Sequence, residues 1–443
     1  MSNLNLIILA GGSSSRFAPL KEKNLYKFLG KEVPKIQVEK FIRFLKPHKT
    51  VIIGNETNTE IISEIVKEIE GDIEVKQQVG DGMAGAANTG LENFADEDDL
   101  LILNMNDYFE DTLFEQFAEM LSGLREKKQS LLTGFMTEKY FPGGYLVLDD
   151  NNFVKAVYEK PGEGNEPSKY VRIVFDYFAS VGQLREYMSQ AQSESDDVYE
   201  VALTNMMQSD IEFVMLDYRG KWVTIKYPWH VLDVMNFFLD QIDGQIIADD
   251  VKISDTAVIR GNVIIESGTK IFDNAVVSGP AYIGKNCIIG NNALVRGSML
   301  GNDCIVGYST EVTRSYWLDN VWTHKNYIGD SIIENDVSFG SHSLTANLRL
   351  DEQDISVNIK GERLSSGLNK LGNIIGSNVR VGVGAMLMPG VKIASNCFIG
   401  SGVLLDKDVE ENKFVRLKQD YEVKDNNFDI SETNRDEFRS KLK

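Results

Sequence analysis

Residues 245–297 read QIIADDVKISDTAVIRGNVIIESGTKIFDNAVVSGPAYIGKNCIIGNNALVRG. One large aliphatic residue returns at every sixth position: Ile247, Ile253, Ile259, Ile265, Ile271, Val277, Ile283, Ile289 and Val295. Four positions after them come Val251, Ala257, Val263, Thr269, Ala275, Ala281, Cys287 and Ala293, all small or β-branched. This period belongs to neither a helix nor a free strand. It suits a coiled sheet in which each short strand and turn gives one large and one small side chain to a narrow interior. After a one-residue slip the ladder resumes at Leu300, Val306, Val312 and Leu318. It is expected to break off there and to return at Ile375, Val381, Leu387, Ile393, Ile399 and Leu405.

The pattern resembles that of hexapeptide-repeat proteins, which implies a left-handed parallel β-helix. The cysteines, Cys287, Cys304 and Cys397, occupy the small interior position of their hexads and are expected to be core fillers.

Upstream, up to about Tyr227, strands alternate with amphipathic helices. Strands are expected at 6–9, 51–53, 73–77 and 100–103, and helices at 33–45, 60–69 and 84–94. Such alternation gives a mostly parallel, Rossmann-like α/β sheet with ligands at the strand carboxyl ends. The expected division is an α/β domain at 1–228, a connecting helix within 229–244, the coil at 245–405 and a polar tail at 406–443.

The first strand leads into a loop of small residues within NLIILAGGSSSRFAPLKEKNLYKFLGK, residues 5–31. Glycines and serines let backbone N–H groups approach a phosphate chain, and Arg16, Lys21, Lys23, Lys27 and Lys31 cluster behind. The spacing is neither that of the P-loop nor that of the dinucleotide fingerprint.

The stretch resembles the signature of sugar-1-phosphate nucleotidylyltransferases at Leu9-Ala10-Gly11-Gly12, Arg16, Pro19-Leu20, Lys23 and Gly30-Lys31. The resemblance implies that the loop holds a nucleoside triphosphate, with Arg16 and Lys23 neutralising its phosphates. Gln78, Gly82 and Met83 fall where that family recognises the base. Asp107, after the strand at 100–103, falls on the Asp that binds Mg²⁺, a hard cation that takes oxygen ligands. Gly144, Glu159 and Lys160 match the contacts to the sugar 1-phosphate. At 222–225 the family carries a second metal-binding Asp, and here that residue is Thr224. Either the second ligand comes from elsewhere or metal binding is weakened.

Within 318–375 lies His324-Lys325-Asn326-Tyr327-Ile328-Gly329-Asp330, followed by Thr345-Ala346-Asn347-Leu348. A histidine can take a proton near neutral pH, as attack by an amine requires. The two segments resemble the acetyltransferase half of bifunctional N-acetylglucosamine-1-phosphate uridylyltransferases. The resemblance implies that His324 is the general base for acetyl transfer from acetyl-CoA to an amino sugar phosphate. It makes Tyr327 and Asn347 substrate contacts and Arg296 a phosphate-binding residue. It departs at Thr313, where a Lys is usual, and at Ser338, where an Asn is. His48, His230 and His342 are expected to be structural.

The bulk properties agree. Of 443 residues, 42% are hydrophobic and 25% charged, ordinary proportions for a globular chain. A net charge of −20 disfavours nucleic acid or an anionic membrane as main partner, so a nucleotide site has to gather its cations locally. The cysteines lack metal-ligand spacing and no apolar run spans a bilayer, so a cytoplasmic enzyme is expected. The resemblance further implies a homotrimer with coenzyme sites between subunits. Two rivals are a single-activity nucleotidylyltransferase whose coil only assembles subunits, and a non-catalytic sugar-nucleotide sensor.

Overall fold

The computed structural model describes residues 4–194, 197–209, 211–427 and 435–442. The chain begins with β1 (Asn5–Leu9), a short hairpin of β2 (Lys27–Phe28) and β3 (Lys31–Glu32), α1 (Val33–Leu45), β4 (Thr50–Gly54) and α2 (Thr59–Val66). Then come β5 (Ile73–Gln77), α3 (Gly82–Leu91), β6 (Leu100–Asn104), β7 (Asp107–Phe109) and α4 (Thr112–Lys127). The domain continues with β8 (Ser130–Met136), β9 (Gly144–Leu148), β10 (Val154–Glu159), β11 (Tyr170–Phe178), α5 (Val181–Gln190) and α6 (Val198–Gln208). It closes with β12 (Phe213–Tyr218), β13 (Trp222–Thr224) and α7 (His230–Leu239).

The main sheet runs β10-β9-β11-β6-β1-β4-β5, with β8 and β12 added beside β11. Parallel pairing of β1 with β4 and β6 places β1 in the interior, where apolar cores cover both sheet faces. That is why Leu6–Leu9 is an unbroken apolar run instead of an alternating one. The carboxyl ends of β1 and β6 point to one edge, so the small-residue loop and Asn104–Asp107 emerge side by side. β13 lies antiparallel to β7, with Thr224 directly opposite Asp107.

From Gln245 the chain coils. Each rung pairs in parallel with the next, first eighteen residues on, as in Val263↔Ala281. The result is a three-sided left-handed β-helix with two eight-stranded faces and a third in two four-stranded parts. The large hexad residues from Ile265 to Val295 point inward and are buried, and the three cysteines are buried and free, as their spacing requires.

The expected break after Leu318 is corrected by the structure. Strands at Tyr327–Gly329, Ile332–Ile333, Ser338–Phe339 and Leu344–Thr345 carry the coil through it. Trp317, not Leu318, faces the interior, while Leu318 packs towards the first domain. Rungs here pair seventeen residues apart (Tyr282↔Met299) and then sixteen (Glu311↔Tyr327), so corners have lost residues and a strict period of six loses phase. Small interior positions also turn polar. The Ser298 hydroxyl accepts from the Ser315 N–H at 3.1 Å, and the Ser315 hydroxyl from the Ser331 N–H at 3.1 Å. The only large insertion of this region is the stretch after Asn347, with its hairpin of Ser356–Ile359 and Glu362–Ser365. Strand pairing also continues past Leu405 to Phe414–Val415, against Phe398–Ile399.

One face of the coil is closed by the first domain. Its outward Tyr282, Met299, Tyr316, Ile332 and Ile374 share a core with Tyr26 and Phe28 of the hairpin and Phe238 of α7. Phe28 stacks on Phe238 at 5.2 Å and Tyr26 on Tyr316 at 5.7 Å, centroid to centroid. The segment that follows the small-residue loop is thereby clamped to the coil.

Candidate active sites

A cleft of about 560 Å³ opens at the carboxyl ends of β1 and β6. It is lined by Leu9 to Phe17, Lys23, Gln78, Gly82, Met83, Asn104, Asn106, Glu159, Lys160, Glu200 and Thr224 to Lys226, among others. The structure thus gathers the predicted loop, the base-side Gln78, Gly82 and Met83, and the sugar-side Glu159 and Lys160 around one space, while Gly144 and Asp107 lie behind its lining. Arg16 stands exposed at its rim.

The loop is held by amides and one carboxylate. The Ala10 carbonyl accepts from Asn24 Nδ2 at 2.8 Å and from Asn58 Nδ2 at 2.9 Å. Glu22 Oε1 accepts from the Ser14 hydroxyl at 2.9 Å and the Asn24 N–H at 3.2 Å, and its Oε2 accepts from Asn55 Nδ2 at 3.1 Å. These contacts leave the backbone of Gly11–Ser15 facing the cleft. A Cβ on Gly11 would meet the end of the Gln78 side chain, so the two approach closely only because position 11 is glycine. Gln78 gives its Nε2 hydrogens to the Gly80 and Gly82 carbonyls at 2.9 and 3.0 Å, bracing the turn before α3.

Asp107 is buried behind the cleft, next to the lining residues Asn104 and Asn106. Its Oδ2 accepts from Asn104 Nδ2 at 3.1 Å and its Oδ1 from Trp222 Nε1 at 3.3 Å. Burial raises its pKa, against hydrogen bonds from Thr224, Asn104 and Trp222 and the charge of Lys23. Lys23 is lowered, mainly by burial, with Asp107 opposing. Mg²⁺ demands near-octahedral oxygens and often takes one or two from protein, the rest from phosphates and water. No cluster of three or more His, Cys, Asp or Glu suited to a metal exists among the described residues. Thr224 offers only a hydroxyl opposite Asp107. This donor set fits an ion that arrives on a triphosphate and touches one carboxylate.

On the other side, Glu159 and Lys160 form an ion pair at 2.7 Å at the end of β10. Gly144 lies beneath, where a Cβ would come within 3.3 Å of Glu159 Oε2. Two charged residues of the cleft, Glu200 and Lys226, went unread in the sequence. Glu200 lines the cleft while pairing with Arg172 at 2.7 Å, and Arg172 also pairs with Asp176 at 3.2 Å. Lys226 projects into the cleft, and burial, with Glu159 opposing, pulls its pKa down to about 8. Isolated charges carry no period, so only a fold could reveal them. His230 Nδ1 accepts from the Lys226 N–H at 3.2 Å, which makes this histidine structural, as expected.

The second constellation sits on the coil. Arg296 and Glu311 pair at 2.8 Å, and Glu311 stands beside Tyr327 in the next rung. The Tyr327 hydroxyl accepts from Asn347 Nδ2 at 3.1 Å, and Asn347 also donates to Asp330. Arg314 holds Asp330 through two bonds of 2.6 and 2.7 Å. Arg296, Tyr327 and Asn347 are therefore joined on one face. Thr313, where a Lys was expected, is buried, and its neighbour Arg314 donates to the Thr313 hydroxyl at 3.0 Å. His324 lies at the corner just before this rung with an exposed ring. Its N–H donates to Asn326 Oδ1 at 2.7 Å and its carbonyl accepts from the Thr310 hydroxyl at 2.8 Å.

Comparison with known proteins follows both halves. Residues 5–319 match the nucleotidyl transferase family and residues 374–407 the bacterial transferase hexapeptide (six repeats) family. Over 441 residues the chain is 34% identical to the bifunctional protein GlmU of Methanococcus vannielii, covering 96% of this chain and all of that one. It is 34% identical over 418 residues to the GlmU of Methanocaldococcus jannaschii, covering 93% and 97% of the two chains. It is 30% identical over 421 residues to a bifunctional sugar-1-phosphate nucleotidylyltransferase/acetyltransferase of Sulfurisphaera tokodaii, covering 94% of this chain and all of that one. With loop, sheet and coil all matched end to end, the chain belongs to the nucleotidyl transferase family, in the form that carries a hexapeptide-repeat β-helix behind the catalytic fold.

Proposed function

We propose that the protein is a bifunctional transferase which joins a nucleoside triphosphate to a sugar 1-phosphate and acetylates an amino sugar phosphate. UTP and N-acetylglucosamine 1-phosphate are the preferred pair for the first reaction. A phosphate oxygen of the sugar attacks the α-phosphorus in line, the bond from the α-phosphorus to the bridging oxygen breaks, and pyrophosphate leaves. The observation that carries this is the cleft: a braced loop of small residues, Arg16 and Lys23 with no ion pair among the described residues, and the buried Asp107 behind adjoining strand ends. Arg16 and Lys23 neutralise phosphates, while Glu159, Lys160 and Gly144 seat the sugar phosphate. Mg²⁺ bound at Asp107 supplies charge on the phosphates when present. Base recognition falls to the Gln78–Met83 turn, where Gln78 exchanges a bond to Gly80 or Gly82 for one to the base.

At the coil, His324 takes the proton of the glucosamine 1-phosphate amine as it attacks the acetyl-CoA thioester. The C–N bond forms, the C–S bond breaks and the coenzyme thiol leaves. Arg296, Tyr327 and Asn347 hold the sugar phosphate, with Arg314 adding the cation that Thr313 lacks. We read the assembly as a cytoplasmic homotrimer with coenzyme sites between subunits. No helix of the described residues is long and apolar enough to cross a membrane.

Two assays on one preparation test this: pyrophosphate release from UTP and N-acetylglucosamine 1-phosphate, and thiol release from acetyl-CoA and glucosamine 1-phosphate. Asp107→Ala is expected to abolish only the first, His324→Ala only the second. Thiol release surviving His324→Ala refutes the assigned base. Pyrophosphate release without thiol release in the wild type leaves the coil as an assembly device. Blank rates in both with nucleotide still bound favour a sensor.

A further inference from the structure

Lys226 has no part in the reaction so far. Its Nζ donates to the Pro142 carbonyl and sits 4.2 Å from the centroid of the Phe141 ring, and it has no carboxylate partner among the described residues. Lys160, by contrast, is paired with Glu159, and Arg172 with Asp176 and Glu200. A half-buried ammonium without a counter-ion is costly, and such a group suits a place where a ligand brings the anion. The residue is also fixed, because its own N–H is held by His230.

Its location is specific. Pro142 directly precedes Gly143 and Gly144 on the sugar side. Lys226 lines the same cleft as Arg16, Glu159 and Lys160, and its ammonium touches the segment that leads into the sugar-side hairpin, so it stands between that hairpin and the phosphate loop. On the nucleotidyl-transfer reading, the attacking phosphate approaches between those two elements.

We propose that Lys226 is a further substrate-binding residue of nucleotidyl transfer, whose ammonium hydrogen-bonds the phosphate of the sugar 1-phosphate and aligns its attacking oxygen. The inference rests on the nucleotidyl-transfer reading above. Lys226 keeps its proton throughout, and the bonds made and broken are those already given.

The test is calorimetric titration of N-acetylglucosamine 1-phosphate into the full chain saturated with α,β-methylene-UTP, once with Mg²⁺ and once with EDTA. Loss of one charged hydrogen bond predicts about 10–100-fold weaker binding in Lys226→Met, with the larger loss in EDTA. Affinity for the UTP analogue should be unchanged, and Lys226→Arg should recover most of the sugar phosphate affinity. Equal affinity of Lys226→Met and wild type overturns the proposal. A wild type that takes up neither ligand overturns the nucleotidyl-transfer reading itself, which is a separate failure. If Lys226→Met does not fold, reductive methylation of the wild type decides. N-acetylglucosamine 1-phosphate, but not N-acetylglucosamine, should protect Lys226, and equal labelling contradicts the assignment.

Discussion

Glu22 binds three groups at the loop: Ser14, Asn24 and Asn55. Motif matching passes over such a residue, since nothing in the string records a bond to Asn55. Thr224 was legible as a lost carboxylate, and pairing opposite Asp107 gives that loss its physical place. Lys226 was not legible, because a lone lysine beside a strand reads as surface. His230 gives the prediction at this scale. It must stay neutral to accept the Lys226 N–H, and burial, then the Lys226 charge, hold its pKa down at about 4 against an ordinary 6.5. A base with a depressed folded pKa contributes stability that is present above the ordinary value and lost as pH falls towards the folded one. The wild-type melting temperature should therefore drop more steeply between pH 6.5 and 4.5 than that of His230→Asn, whose Oδ1 accepts at any pH. Parallel curves would contradict this role.

Among elements, the hexads from Ile265 to Val295 were fully legible because every inward position but Thr269 is apolar and every step is six. The rungs from Tyr316 to Thr345 were not. Shortened corners shift the phase, and Thr323, Ser331 and Ser343 hold buried positions through hydrogen bonds that hydropathy does not see. That irregular stretch carries His324, and one glycine supports it from the rung before. A Cβ on Gly307 would collide with the His324 carbonyl, a backbone atom that can move only with its rung. Gly307→Ala should cut thiol release by tenfold or more, on the order expected when a base is displaced by about an ångström, and leave pyrophosphate release unchanged. Unaltered acetyl transfer in a folded Gly307→Ala would show that the His324 backbone has slack.

The whole molecule is two folds sharing one core, which the sequence divided cleanly and the structure does not. Tyr316 donates its hydroxyl hydrogen to the Lys27 carbonyl, at 2.5 Å, and Glu334 accepts from the Lys21 N–H and the Tyr26 hydroxyl. The segment behind the phosphate loop thus depends on residues some 300 positions away, and no local pattern announces such contacts. A second coil face presents Val258, Val276, Leu294, Leu344, Met386 and Leu404 outward. Glu311 and Tyr327 interrupt this column, and we expect a trimer of this 49.7 kDa chain to cover its apolar parts. Sedimentation equilibrium should give three times the chain mass, and a monomer mass would leave the column unexplained.

Above all of this stands the cleft behind β1. The most direct measurement is the structure of the protein crystallised with UTP and Mg²⁺. Triphosphate oxygens are expected on the Gly11–Ser15 backbone within hydrogen-bond reach of Arg16 and Lys23, with metal density beside Asp107. Nucleotide density anywhere else, with that loop bare, would contradict this.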